Sequence, residues 1–249
     1  MKTSNKLIAA AFLLILVSLF VYARLLNAEY ISGRYKDPYR DFVTLKFKDF
    51  DTVDVNSTSA VNVKFIQGPF SVRIDTDAMD FTKIEQQGNT LKIGAAFKGD
   101  YIQNPSRYIV VISCPKLAEV NANAIFKAKD KQIIDTVLRE WNMRQNLIEG
   151  FKEDSLSIRQ YYGSSIILSG NHIRTLNAVV GLNPLSFSKI VILNNNLFQQ
   201  ATIDVLNRSK IQLDGKVIKN LKYYLADSAQ MVLTGAAQNL MNNPKSYQK

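Results

Sequence analysis

The two residue types that most often carry chemistry occur once each, as His172 and Cys114. A lone histidine has no second imidazole to complete a metal pair, and just past Gly170 it reads as a solvated turn residue. Cys114 cannot form an internal disulfide. Between Ser113 and Pro115, at a strand end, it reads as a buried and inert thiol. Asp75, Asp77 and Asp80 hint at a calcium loop, but Met79 stands at the fifth position with no glycine after it, so the template fails. A glycan-cleaving enzyme would need carboxylates gathered on one face. Asp204, Asp214 and Asp227 instead fall at different phases of the pattern described below. Neither G-x-x-x-x-G-K nor G-x-G-x-x-G is present, so no phosphate-cradling loop is expected. These residues predict a protein that is not an enzyme, with no catalytic residue, no cofactor and no metal site.

What remains is surface chemistry. Lys plus Arg number 31 against 21 for Asp plus Glu, a net charge of +10 that favours anionic partners. Lys210, Lys216, Lys219 and Lys222 lie close along the chain and form a candidate basic face. Tyr161-Tyr162 and Tyr223-Tyr224 could stack on sugars, but alternation turns one ring of each pair inward. Trp141 is the single tryptophan and the candidate partner contact, because aromatic anchors are common at contact sites.

The elements that must position these residues begin with an uncharged apolar run, Leu7 to Ala23. Its 17 residues exceed most signal-peptide cores and reach the short edge of a bilayer span. A membrane helix is expected, with partner contact to the bilayer through residues 7–23. A cleavable signal stays open as the alternative, because Val21-Tyr22-Ala23 and Leu26-Asn27-Ala28 each loosely meet the small-residue rule. Lys2 and Lys6 precede the run, while Arg24, Arg34 and Lys36 follow it. A short basic start normally stays inside, so residues 30–249 are expected outside the cytoplasm, where nucleic acid is not a partner. Residues 1–28 then form the anchor or signal segment, and residues 29–41, with Gly33 and Pro38, form a juxtamembrane linker.

From Phe42 the pattern changes to period two. Val43-Leu45-Phe47, Val53-Val55, Val61-Val63-Phe65, Phe70-Val72-Ile74, Ile84, Leu91-Ile93 and Tyr108-Val110-Ile112 alternate as half-buried strands do. Gly, Asn and Pro separate them, and an antiparallel sheet over residues 42–113 is the expectation. The second half repeats a small-x-aliphatic-x-aliphatic-x-Gly/Asn unit. It occurs as Ser164-x-Ile166-x-Leu168-x-Gly170, Ser188-x-Ile190-x-Ile192-x-Asn194, Ser209-x-Ile211-x-Leu213-x-Gly215 and Ala229-x-Met231-x-Leu233-x-Gly235. The units follow one another at 24, 21 and 20 residues, a period that points to stacked coils. A second strand per coil is read from Leu176-x-Ala178-x-Val180, Ala201-x-Ile203-x-Val205 and Leu221-x-Tyr223-x-Leu225. Gly and Asn, including Asn194-Asn195-Asn196, are expected at corners that need positive φ. Between the halves, Lys129 to Asp154 shifts towards a period of 3.6. Ile134, Val137, Leu138, Trp141 and Ile148 would share one face of a helix that Gly150 closes.

The stretch Phe47 to Val55, then Val63 to Gly68, Leu91-Lys92-Ile93, Cys114 to Val120 and the repeated coils resemble the GIN-domain family. These are head domains attributed to autotransporter adhesins of bacterial cell envelopes. Two departures are the Asn or Ser that mostly replaces the family's small corner residues, and the polar insert 129–154. The resemblance implies an all-β fold in which an antiparallel N-terminal sheet leads into a right-handed parallel β-helix-like solenoid, here after one N-terminal transmembrane helix. The solenoid domain would cover residues 42–240, with 241–249 as a polar tail. The expected function is a non-catalytic binding module of the cell envelope, anchored by one span or secreted after signal cleavage, and adhesive towards a glycan or an envelope protein. Two alternatives are a structural or regulatory scaffold acting through a membrane partner, and a carbohydrate-active enzyme.

Overall fold

The computed structural model describes residues 3–33, 36–101, 107–137, 145–215, 218 and 220–242. The chain divides into Met1–Phe42 and Val43–Lys249. In the first unit α1 (Thr3–Ser32) is a 30-residue helix, about 45 Å long at 1.5 Å per residue. It is apolar and long enough to cross a membrane, which suits an anchor or a signal sequence. Ala and Leu favour the helix. It runs on to Ser32, four residues past the expected boundary.

The second unit is built from strands. In chain order they are β1 (Phe42–Leu45), β2 (Thr52–Val55), β3 (Val63–Gln67), β4 (Ser71–Asp75), β5 (Thr82–Gln87), β6 (Thr90–Phe97) and β7 (Val110–Cys114). Next come β8 (Glu119–Ala122), β9 (Ile125–Ala128), β10 (Lys131–Ile134), β11 (Asn146–Glu149), β12 (Lys152–Gln160) and β13 (Ser165–Ser169). The last are β14 (His172–Val180), β15 (Lys189–Ile192), β16 (Leu197–Val205), β17 (Lys210–Gly215), β18 (Leu221–Leu225) and β19 (Gln230–Gly235). They pair into two mixed sheets. The first runs β1-β4-β7-β3-β11-β13-β15-β17-β19, and the second β10-β9-β6-β2-β8-β12-β14-β16-β18.

The repeat explains the parallel pairing. Ile166, Ile190, Ile211 and Met231 stand in register, as do Leu168, Ile192, Leu213 and Leu233. The second row extends backwards through Ile148, Phe65 and Ile112, so seven strands place an apolar side chain at one level. The second sheet matches it with Leu91, Val53, Val120, Ile158, Ala178, Ile203 and Tyr223. Both rows belong to one hydrophobic core, which removes from water the apolar face that a single sheet leaves exposed. The adjoining row of the second sheet is apolar except for Gln160. This fully buried amide donates to the carbonyls of Ser164 and Lys189 at 3.2 and 3.1 Å and so ties the end of β12 to two neighbouring segments.

The corners carry buried polar ladders. Ser164, Ser188 and Ser209 are fully buried. The Ser188 N–H donates to Ser209 Oγ at 3.1 Å, and the Ser164 N–H to Ser188 Oγ at 3.3 Å. At another corner Asn171 and Asn196 satisfy backbone groups that the turn leaves over. Asn171 Oδ1 accepts from the Phe151 N–H, and Asn196 Oδ1 from the Asn171 N–H, each at 3.0 Å.

Four sequence expectations change. The antiparallel sheet over residues 42–113 does not form: β2 is parallel to β6 and β8, and β3 is parallel to β7. Antiparallel pairing in that stretch includes β4 with β7 and the β5–β6 hairpin. Alternation reports which face is buried and says nothing about direction. Direction follows from which strand lands beside which, and here β7 lies between β3 and β4. Nor do the described parts of the insert form a helix, since β10 and β11 stand there. Ile148 gains its burial between Phe65 and Leu168, a tertiary environment that overrides the local period. Leu138 and Trp141 lie outside the described residues. Gly170, Gly215 and Gly235 hold the positive φ expected of corners, whereas Asn194, Asn195 and Asn196 do not. Asn196 works through its side chain instead, donating to the carbonyls of Leu168 and Leu193. Finally, His172 opens strand β14 and is not a turn residue, because its segment pairs with β12 and β16.

Candidate functional site

Strands β12, β14 and β16 are each nine residues long and share one irregularity. The register that joins Glu153 to Ile173 and Phe198 resumes only at Ser155, Thr175 and Gln200. Asp154, Arg174 and Gln199 are therefore skipped together, and the alternation changes phase at that level, with Ile173 and Leu176, three residues apart, both buried. Past that level, alternation resumes with Leu176, Ala178 and Val180 inward and Asn177 outward.

The outward residues line two adjoining depressions. A smaller one of about 300 Å³ is bordered by Thr175, Asn177, Gln200, Ala201, Thr202, Asn220 and Lys222. A larger one of about 720 Å³ is bordered by Glu153, Asp154, His172, Ile173, Arg174, Leu197, Phe198, Gln199 and Asn220. Asn220 borders both, so the two depressions meet at that residue and form one groove. The smaller depression holds an in-register row, Asn177, Thr202 and Lys222, which Ser157 continues on β12 outside the depression. Gln200 Nε2 donates to Thr175 Oγ1 at 2.8 Å, and Asn220 Nδ2 to the Gln199 carbonyl at 3.0 Å. Hydroxyls and amides both donate and accept, which matches the mixed demand of sugar hydroxyls. Half-buried Phe198 and exposed Leu197 supply apolar surface beside them.

Charge in the groove is modest. Arg174 Nε lies 3.4 Å from Asp154 Oδ1, and both side chains are exposed. Burial raises the Glu153 carboxyl above its ordinary range, opposed by a backbone hydrogen bond from Leu117 and by Lys116. Gln67 Nε2 lies 3.4 Å from Glu153 Oε1. Among the described residues, no three His, Cys, Asp or Glu side chains gather as a metal ion requires.

The residues singled out from the sequence are dispersed. Lys210 begins β17 in the first sheet and Lys222 lies on β18 in the second. Lys216, Lys219 and Trp141 lie outside the described residues. Asp204 is buried on β16, while Asp214 is on β17 and accepts from Gln212 and Thr234, each at 3.0 Å. Asp227 is exposed in a turn. Asp75 accepts the Asp77 N–H at 3.0 Å and caps a short 3₁₀ turn. Tyr223 packs on the core, and Tyr224 stands one residue out of phase with it. The groove residues Thr175, Asn177, Gln200, Thr202 and Asn220 were not singled out. Asn177 and Thr202 are the unassigned x positions of the second strand motif, so their signal was the polar type of those positions.

Cys114 ends β7, fully buried as expected. Burial, then the charges of Glu153 and Asp51, pushes its thiol from 9.0 up to about 12. Above pH 9 the unfolded chain releases a proton that the folded chain keeps, so this residue's contribution to stability falls as pH rises. The slope is about 1.4 kcal/mol per pH unit until the folded thiol also ionises. The urea midpoint of the full chain in detergent is therefore expected to fall more steeply between pH 9 and about 11 than that of Cys114→Ala. Equal slopes would contradict the burial.

The chain is a mostly β protein with one N-terminal apolar helix and a polar groove on one of two mixed sheets. No protein-family model and no curated protein matches the sequence. Solved structures that resemble it include a proposed adhesin of Bacteroides fragilis, 13% identical, with a TM-score of 0.45 over 80% of this chain and 95% of that one. Another is a proposed adhesin of Parabacteroides merdae, 12% identical, with a TM-score of 0.37 over 78% and 92%. A third is a proposed lipid-binding protein of Parabacteroides distasonis, 16% identical, with a TM-score of 0.33 over 78% and 94%.

Proposed function

We propose that this chain is a non-catalytic binding module of the cell envelope, with its strand-built unit outside the cytoplasm and its groove gripping a glycan. In this reading α1 is retained as the anchor, with Lys2 and Lys6 inside, and residues 42–240 form a right-handed parallel solenoid of the GIN type. The observation that carries the reading is the in-register polar row Asn177, Thr202 and Lys222 in a groove with an apolar flank at Leu197 and Phe198. Stacked coils repeat a side chain every 4.8 Å or so, a spacing suited to an extended chain of polar units.

The test is a glycan array probed with the full chain in lipid nanodiscs. A bound glycan should lose about tenfold or more in affinity to the double variant Asn177→Ala/Thr202→Ala, on the order of one to two lost hydrogen bonds to a ligand. An array without a hit, or a hit indifferent to that variant, would overturn the glycan reading. Protease added to intact cells and to spheroplasts tests the location. Digestion of the body in neither would place it in the cytoplasm.

A further inference from the structure

Three side chains of the groove present polar groups that the fold does not use. Asn177, Thr202 and Lys222 stand in register on β14, β16 and β18, which spaces their backbones about 4.8 Å apart. All three border the smaller depression; Asn177 and Lys222 are exposed and Thr202 is half-buried. Among the described residues, none of the three side chains has a hydrogen bond or an ion pair. Thr175 and Gln200 beside them bond to each other at 2.8 Å, and Asn220 is tied to the Gln199 carbonyl.

The charge of this hollow has one sign. Lys222 is the one ionisable side chain among the residues that border it. Asp204, two residues beyond Thr202 on β16, stands in register with Tyr224, is buried and does not border the depression. The larger depression differs. Its Arg174 lies 3.4 Å from Asp154, and Glu153 adds a second carboxylate. Both acids belong to the β12 side of the sheet, three strands from β18, so they stand about 14 Å across the sheet from Lys222. That exceeds the Debye length of about 8 Å at physiological ionic strength, which leaves the field of Lys222 largely intact. Among the described residues of the groove, Lys222 is thus the one Lys or Arg side chain without an acidic partner. Because β18 ends the second sheet, a lysine there also deters pairing with another chain. That role asks only for charge at an edge, and it does not account for the unused amide and hydroxyl in the same row.

On the glycan reading of the groove, on which this step rests, we propose that the smaller depression selects an anionic sugar unit. Its carboxylate or sulfate ester sits against the Lys222 ammonium, while Asn177 and Thr202 hydrogen-bond its ring substituents. An ammonium is a point charge with three rotatable donors, so it suits either anionic group, whereas a guanidinium fork is matched to planar ones. Hydrogen bonds to a charged group are stronger than those between neutral groups, so the unit over Lys222 sets the choice of ligand.

Matched pairs of oligosaccharides test it, titrated by calorimetry against the full chain in zwitterionic nanodiscs at low ionic strength. Oligogalacturonate and its methyl ester share a skeleton and differ in charge, as do sulfated and plain dextran oligomers. At least one acidic member should bind about tenfold or more tighter than its neutral partner, and high salt should erase most of that preference. Lys222→Gln should bring the acidic member to within about twofold of the neutral one, and Lys222→Arg should keep the preference. Lys210→Gln, an equal charge loss on the first sheet, should change it by less than about twofold. A preference within the uronate pair assigns a sugar carboxylate, and one within the dextran pair a sulfate ester. Thermal melts check that the variants fold. Equal affinity within both pairs, or a preference that Lys222→Gln leaves intact, would overturn the anionic ligand. So would an array that yields only neutral glycans sensitive to Asn177→Ala/Thr202→Ala, and in that case the glycan reading itself would stand. An array without any hit would overturn both.

Discussion

Gly181→Ala is expected to destabilise the strand-built unit by about 3 kcal/mol or more, from two separate causes. The first is conformational. Gly181 follows β14 with φ at +84°, where a Cβ costs about 1–2 kcal/mol. The second is steric. A Cβ there would lie 2.0 Å from Ser209 Oγ, 2.7 Å from the Leu206 carbonyl oxygen and 2.9 Å from Ser209 Cβ. Ser209 cannot simply step aside, because its hydroxyl accepts the Ser188 N–H in the buried ladder. Nor is the backbone of Gly181 free to shift. Its N–H donates to the Gln160 carbonyl at 2.9 Å, and its own carbonyl accepts from Asn207 Nδ2 at 2.6 Å. Gly150→Ala is the control: φ is +77° there, with nothing within 4 Å of the added carbon, so only the conformational part applies. Chemical denaturation of both variants measures the difference. Equal losses would mean that the corner at Ser209 yields and that the ladder is not rigid.

Phe65→Ala is expected to cost about 3–5 kcal/mol, the range for emptying an aromatic site in a packed core. Phe65 is fully buried and stands in register between Ile112 on β7 and Ile148 on β11. Backbone ladders hold both neighbouring strands at fixed spacing, so the sheet cannot collapse to fill the space. Val232→Ala offers the comparison. Its side chain faces outward on the edge strand and is 36% exposed, and its loss should stay below about 1 kcal/mol. The same urea titrations report both values. A loss at Phe65 as small as that at Val232 would mean that the seven-strand row is not a continuous packed core.

The repeated strand units were legible from residue types alone. Ser164-x-Ile166-x-Leu168 and its three successors align residue for residue in the parallel ladders, because one face of each strand must be apolar and like stacks on like. The apolar run from Leu7 to Ala23 similarly announced α1, since a helix is the way a short chain satisfies its backbone in lipid. Legibility ended where an outcome depended on a distant partner. Ile148 looks helical in its own neighbourhood and becomes a strand residue because Phe65 and Leu168 flank it. Asn196 looks like a positive-φ corner and instead spends its side chain on buried carbonyls.

Residue types and their spacing set the inward face of the repeated strands, the apolar N-terminal helix and the interval between strand units, because burial periodicity and hydropathy are local properties of the chain. Strand direction in residues 42–113, the groove around Asn220 and the register of Lys189 beside Lys210 came from packing in three dimensions. Each depends on which segment lies beside which, and strand pairing brings together residues some 20 positions apart that no local period connects.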